Sequence, residues 1–135
     1  MISKRIMAVD YGDVRVGIAM SDPSLTLASP LITLKNDNNL IDSIIELTQE
    51  YDVEKIIVGY PLNLKGQEGF SSEKVDKFIR NLSFAGLQTE RWDERFSSVA
   101  AVNLLHEAGI KFKKDKGRVD RSAAAIILQN YLDSQ

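Results

Sequence analysis

The sequence has no cysteine and a single histidine, His106, among its 135 residues. The first absence removes a disulfide framework, a zinc ribbon, a thiolate nucleophile and a dithiol redox motif. The second removes metal sites built from paired histidines and leaves little basis for a Ser-His-Asp triad. No stretch is rich enough in Pro, Gly or Ser to divide the chain, and there is no repeat or low-complexity segment. No run approaches the roughly 20 apolar residues of a membrane span. The N-terminus, Met1-Ile2-Ser3-Lys4-Arg5, enters a short apolar stretch with no signal-peptide pattern. A cytoplasmic protein without a membrane partner is expected, folded as one domain over 1–135, a length that buries a core unaided. For acid-base or metal chemistry, what remains is carboxylate.

An excess of either charge is also missing, since 17 Lys and Arg stand against 19 Asp and Glu for a net charge of −2. That argues against a uniformly basic nucleic-acid binder, but the average hides an asymmetry. Residues 111–121 hold six basic side chains (Lys111, Lys113, Lys114, Lys116, Arg118 and Arg121) and only two acidic ones (Asp115 and Asp120), a local charge of +4 that leaves −6 for the rest.

Short apolar runs alternate with helical periodicity. Ile6-Met7-Ala8-Val9 and Ile56-Ile57-Val58-Gly59 have the unbroken apolar pattern of strands buried on both faces. Arg15 to Met20 and Leu31 to Lys35 read as two further strands, the first joined to Ile6–Asp10 by a tight turn through Gly12. Leu40, Ile41, Ile44, Ile45, Leu47 and Tyr51 form a helical stripe with Asn38 or Asn39 as N-cap. Val75, Phe78, Ile79 and Leu82 form a second, entered from Ser71 or Ser72. Gln88 to Asp93 reads as a more polar strand, a third helix is expected from near Ser97 to Gly109, and the last from about Val119. The order β-β-β-α-β-α-β-α-α predicts an α/β fold: a mixed five-stranded sheet with three antiparallel N-terminal strands and helices on both faces.

Ligands of such sheets bind outside the carboxyl ends of the parallel strands, and three acidic features fall there. Asp10 closes the run Ile6–Val9, where a carboxylate is costly to desolvate unless it is paired, hydrogen-bonded or metal-bound; an Asx turn with Gly12 is the competing explanation. Asp93-Glu94 closes the polar strand, and Asp120 opens the last helix on the same stripe as Ala124 and Ile127. A helix-dipole contact or an N-cap would account for each alone. Together they form a set of hard oxygen donors suited to Mg²⁺ or Mn²⁺. Two such ions about 4 Å apart catalyse phosphodiester hydrolysis with carboxylates alone.

The remaining features suit a polyanion. Lys113, Lys114, Lys116, Arg118 and Arg121 surround Asp120, and Arg15 and Arg95 fall near the same sheet edge. These are candidate phosphate contacts, with a solvated loop as the commoner origin of such a charge run. Asn63, in the loop Gly59-Tyr60-Pro61-Leu62-Asn63-Leu64-Lys65-Gly66, offers an amide that either holds a phosphate or turns the chain. The glycines from Gly12 to Gly17 have P-loop spacing, but Ile18-Ala19 stands where Lys and Ser/Thr are required. His106 falls on a polar helix face, and Trp92 reads as a half-buried strand tryptophan.

The segments Val9-Asp10-Tyr11-Gly12-Asp13-Val14-Arg15-Val16-Gly17-Ile18-Ala19-Met20-Ser21-Asp22, Ile57-Val58-Gly59-Tyr60-Pro61-Leu62-Asn63, Trp92-Asp93-Glu94-Arg95 and Val119-Asp120-Arg121-Ser122-Ala123-Ala124 together resemble the YqgF (RuvX) family, and in the family's order. Its members are described as Holliday-junction-resolvase-like and as pre-16S ribosomal RNA nucleases. The resemblance implies a ribonuclease H-like fold and a metal-dependent nuclease with Asp10, Glu94 and Asp120 as its acidic set; Asp93 stays open as the alternative to Glu94. It also implies structured RNA or branched DNA as partner and a monomer or homodimer; the alternatives to rRNA processing are a resolvase acting on branched DNA and a non-catalytic RNA-binding factor in transcription or ribosome assembly. Two departures are visible: Val14-Arg15 where the family has Lys-Arg, and Ser97-Ser98 where it has two threonines.

Overall fold

The computed structural model describes residues 4–61, 69–94 and 116–135. The described elements are β1 (Arg5–Tyr11), β2 (Arg15–Ser21), β3 (Ala28–Lys35), α1 (Leu40–Glu50), β4 (Val53–Tyr60), α2 (Phe70–Phe84), β5 (Thr89–Asp93) and α3 (Lys116–Asp133). The helix expected from Ser97 to Gly109 lies outside the described residues, as do Asn63, Arg95, Lys113 and Lys114.

The strands form one five-stranded sheet in the order β3-β2-β1-β4-β5. β1 to β3 form an antiparallel meander, while β4 and β5 run parallel to β1. Successive strand side chains point to opposite faces, which divides the core in two. Met7, Val9, Val16, Ile18, Ile56, Val58 and Tyr60 pack with Leu40 and Ile44 of α1 and Val75, Phe78 and Leu82 of α2. Ile6, Ala8, Ala19 and Ile57 face Ala123, Ala124, Ile127, Leu128 and Tyr131 of α3. The unbroken apolar runs of β1 and β4 follow from this arrangement, because both faces of the central strands lie under helices.

Several boundaries differ from those the sequence suggests. β3 begins at Ala28 rather than Leu31 because β2 pairs with it as far as Ser21↔Ala28, beyond the apolar stretch. α2 begins at Phe70, where the Ser72 hydroxyl accepts the Gly69 N–H at 3.3 Å and donates to the Pro61 carbonyl at 2.5 Å. α1 follows Asn39, but the Asn39 side chain caps nothing; Asp37 accepts the Asn39 N–H at 2.9 Å instead. Trp92 is half-buried, donating its indole N–H to Asn130 Oδ1 at 2.8 Å and standing edge-on to Tyr131.

The end of β4 is tied to α2 and β5 by Tyr60, whose hydroxyl donates to Asp76 Oδ2 at 2.8 Å and whose ring lies under the Arg91 guanidinium. Tyr60→Phe keeps the ring and removes the bond. It is expected to cost about 1 kcal/mol in urea unfolding, with an unchanged midpoint marking the bond as energetically idle.

Candidate active site at the carboxyl edge of the sheet

β1, β4 and β5 end at the same edge, and strand parity decides which side chains meet there. Asp10 shares the α3-facing side of β1 with Ile6 and Ala8. It lies within the β1–β2 ladder, opposite Gly17, so it does not form the Asx turn that would cap the hairpin. On β5, Trp92 pairs with Gly59 and Asp93 with Tyr60. Asp93 therefore follows Tyr60 onto the α1/α2 side, and Glu94, one residue on, returns to the side of Asp10. Of the two neighbours between which the sequence leaves a choice, Glu94 is the one that meets Asp10.

The Asp10 and Glu94 side chains share a hydrogen bond, and Asp120 lies close enough to act on Asp10 electrostatically. Asp10 is only 8 % exposed. Burial holds its pKa well above the usual carboxylate range, and the charges of Glu94 and Asp120 push it further in the same direction. Glu94 is also raised, first by burial; its bond to Asp10 opposes that shift and the Asp93 charge adds to it. Burial is the largest cause at both carboxyl groups, and it favours the protonated form of each over what an exposed pair would show.

Asp120 stands in the first turns of α3 and accepts from Arg15 Nε at 2.9 Å. Arg15 is thus brought to the site, attached to an acidic side chain. Among the described residues, no group of three His, Asp or Glu side chains is gathered closely enough to hold one ion; Asp10 and Glu94 touch, while Asp120 is turned to Arg15. Arg118 is exposed and Arg121 half-buried near the start of the same helix, with Arg121 Nη1 3.4 Å from Thr33 Oγ1. Lys116 lies in the first turn of α3.

Two glycines make this convergence possible, and sequence reasoning missed both. A Cβ on Gly17 would collide with the backbone carbonyl of Asp120 and lie 2.6 Å from the Arg121 nitrogen. A Cβ on Gly59 would lie 2.6 Å from Ile127 Cδ1 and 3.0 Å from Glu94 Oε1. Gly17 stands opposite Asp10 on β2, and Gly59 continues the β1–β4 register one step past Val9↔Val58. The carboxylate is therefore flanked by two positions without side chains, one admitting α3 and the other admitting Glu94. Glycine inside an otherwise apolar strand was the available signal. Gly59→Ala is expected to displace the Glu94 carboxylate and reduce whatever activity the site has at least tenfold at a stability cost near 1 kcal/mol, since the Ile127 methyl can yield; paired activity and urea measurements separate the two effects.

The fold matches that of Thermus thermophilus RuvC in complex with a Holliday junction substrate, with a TM-score of 0.61 at 12% identity, covering 97% of this chain and 94% of that one. The molecule thus has a ribonuclease H-like fold. A family model described as "RuvX: Holliday junction resolvase" matches residues 4–134. The protein named "Putative pre-16S rRNA nuclease" from Ruminiclostridium cellulolyticum is 41% identical over 133 residues, 96% of this chain and 94% of that protein. The one of the same name from Syntrophus aciditrophicus is 44% identical over 133 residues, 96% and 89% of the respective chains. This chain belongs to the RuvX family.

Proposed function

We propose that this chain is a metal-dependent nuclease that hydrolyses phosphodiester bonds at the carboxyl edge of the sheet and processes the 5′ end of pre-16S ribosomal RNA in the cytoplasm, with residues 1–135 acting as one nuclease domain. The Asp10–Glu94 pair beside Asp120, with Asp10 buried, carries the reading. Carboxyl groups with raised pKa values, one of them buried, at the carboxyl edge of parallel strands are a mark of functional sites. The substrate follows from the names of the relatives and so rests on kinship rather than on a contact.

Asp10, Glu94 and Asp120 are the residues that would hold Mg²⁺ or Mn²⁺. Their donor chemistry fits, because all are hard carboxylate oxygens. When bound, one or two such ions would supply an activated water and neutralise the leaving oxygen. The protein's own part is to direct Asp120 from Arg15 toward its fellow carboxylates and to hold the scissile strand. Arg15, Arg118 and Arg121 serve the strand as phosphate contacts. Lys113, Lys114, Lys116, Arg95 and Asn63 are proposed for the same service from the sequence.

A second substrate, the four-way DNA junction, is favoured by the description of the family model itself. The test incubates the chain with precursor RNA and with a four-way junction in Mn²⁺, Mg²⁺ and EDTA. Cleavage of the RNA at its 5′ side in metal alone is the expected result. Symmetric cutting of the junction by a dimer selects the resolvase reading, and no turnover of either under any metal overturns the nuclease.

A further inference from the structure

Next to the acidic pair, and on the same face of the sheet, the first turns of α3 cross the ends of β2 and β3. Arg15 and Lys35 are directly opposed partners in the antiparallel β2–β3 ladder, and Gly17 and Thr33 form the next pair on that face. Directly opposed residues of such a ladder present their side chains to the same side. Arg15 reaches Asp120 of α3 there and Thr33 meets Arg121 of α3, so Lys35 stands on the α3-bearing side too. It is exposed, as is Arg118. Arg15, Lys35, Arg118 and Arg121 therefore gather around one end of α3 at the rim of the sheet. From Asp10 on β1 to Thr33 on β3 is two strand spacings, about 10 Å. β3 is the edge strand, with no further strand beyond it among the described residues.

We infer that this rim is the track along which a nucleic-acid strand leaves the cleavage site: Arg15 stands next to the carboxylates, Arg121 with Thr33 follows, and Lys35 and Arg118 contact backbone phosphates beyond them. The inference deepens the nuclease reading and rests on it for the nature of the ligand. The occupant is assigned by charge complementarity: four cations bordering the acidic pair suit a chain that carries one negative charge per nucleotide. Lys35 is the new element, since it lies outside every motif and is placed at the site only by strand pairing.

Binding of a fluorescently labelled RNA hairpin, measured by anisotropy in EDTA across a salt series, tests the track without requiring metal or turnover. Lys35→Glu is expected to weaken binding about five- to tenfold at low salt and to lower the salt slope by about one. Arg80→Glu, an equal charge change at an exposed position of α2 on the opposite side of the sheet, is expected to stay within twofold of wild type. Both side chains are exposed, so equal melting temperatures are expected and confirm that folding is intact. Lys35→Glu binding within twofold of wild type, or an equal loss in Arg80→Glu, overturns the track. Failure of the wild type to bind any RNA or junction overturns it together with the nuclease reading. A protein that binds through Lys35 but never cleaves retains the track and loses the nuclease.

Discussion

Asp10→Asn is expected to reduce cleavage by about a hundredfold or more, the scale on which one preorganised electrostatic group acts, and at the same time to stabilise the metal-free protein at neutral pH. Both effects have the same cause. Asp10 is buried against Glu94 and near Asp120, and an amide of the same shape donates a hydrogen bond to Glu94 without adding charge. A gain of about 1 kcal/mol raises the melting temperature of a domain this size by a few degrees. The pH dependence identifies the origin. In the unfolded chain Asp10 titrates near the ordinary value of about 3.9, whereas in the folded chain it holds its proton to higher pH. Over the interval between those two values the folded state binds more protons than the unfolded state, so stability falls as pH rises and levels off above the folded pKa. Metal-free melts from pH 4 upward are expected to show that decline in the wild type and a shallower one in Asp10→Asn, with the raised Glu94 accounting for what remains. Parallel profiles, or a less stable variant with full activity, would remove Asp10 from the site.

Gly17→Ala is expected to have the largest effect on stability. The added methyl meets the backbone of Asp120 and Arg121 rather than the end of a mobile side chain, so relief requires α3 to move away from β2 as a body. Overpacking of this kind costs about 3 kcal/mol at its upper end. The shift also carries Asp120 away from Asp10, so activity should fall even under conditions where the variant stays folded. The contrast with Gly59→Ala is informative, because there the nearest atom is the Ile127 terminal methyl and the carboxylate suffers more than the fold. Urea midpoints for the two variants measure the difference between a helix that must move and a side chain that can turn. If Gly17→Ala unfolds with the wild-type midpoint, α3 does not press on β2 as closely as described.

Much of this was legible in the sequence. The runs Ile6–Val9 and Ile56–Gly59 marked the central strands because only a strand covered on both faces is apolar at every position. Val75, Phe78 and Leu82 marked one face of α2, and Ala123, Ala124 and Ile127 one face of α3, by their spacing. Asp10 and Asp120 were conspicuous as charges on stripes that lead into the core. The start of β3 was less visible, because an edge strand is paired by its backbone and exposed by its side chains, leaving Ala28 to Pro30 without an apolar signature. Asp93 and Glu94 were indistinguishable as neighbours of the same chemistry.

The amino-acid pattern alone thus determined the element order of the described residues, the two-sided core and the restriction to carboxylate chemistry, since these depend on local periodicity and on which functional groups the chain possesses. The tertiary structure decided what depends on register and close approach. It selected Glu94 over Asp93 through the pairing of Gly59 with Trp92, gave Gly17 and Gly59 their meaning as openings beside Asp10, joined Arg15 to Asp120 across 105 positions of sequence, and placed Lys35 next to Arg15. The physical reason is that a one-residue change of register sends a side chain to the opposite face of the sheet, and no local feature of a sequence records which neighbour a strand will find.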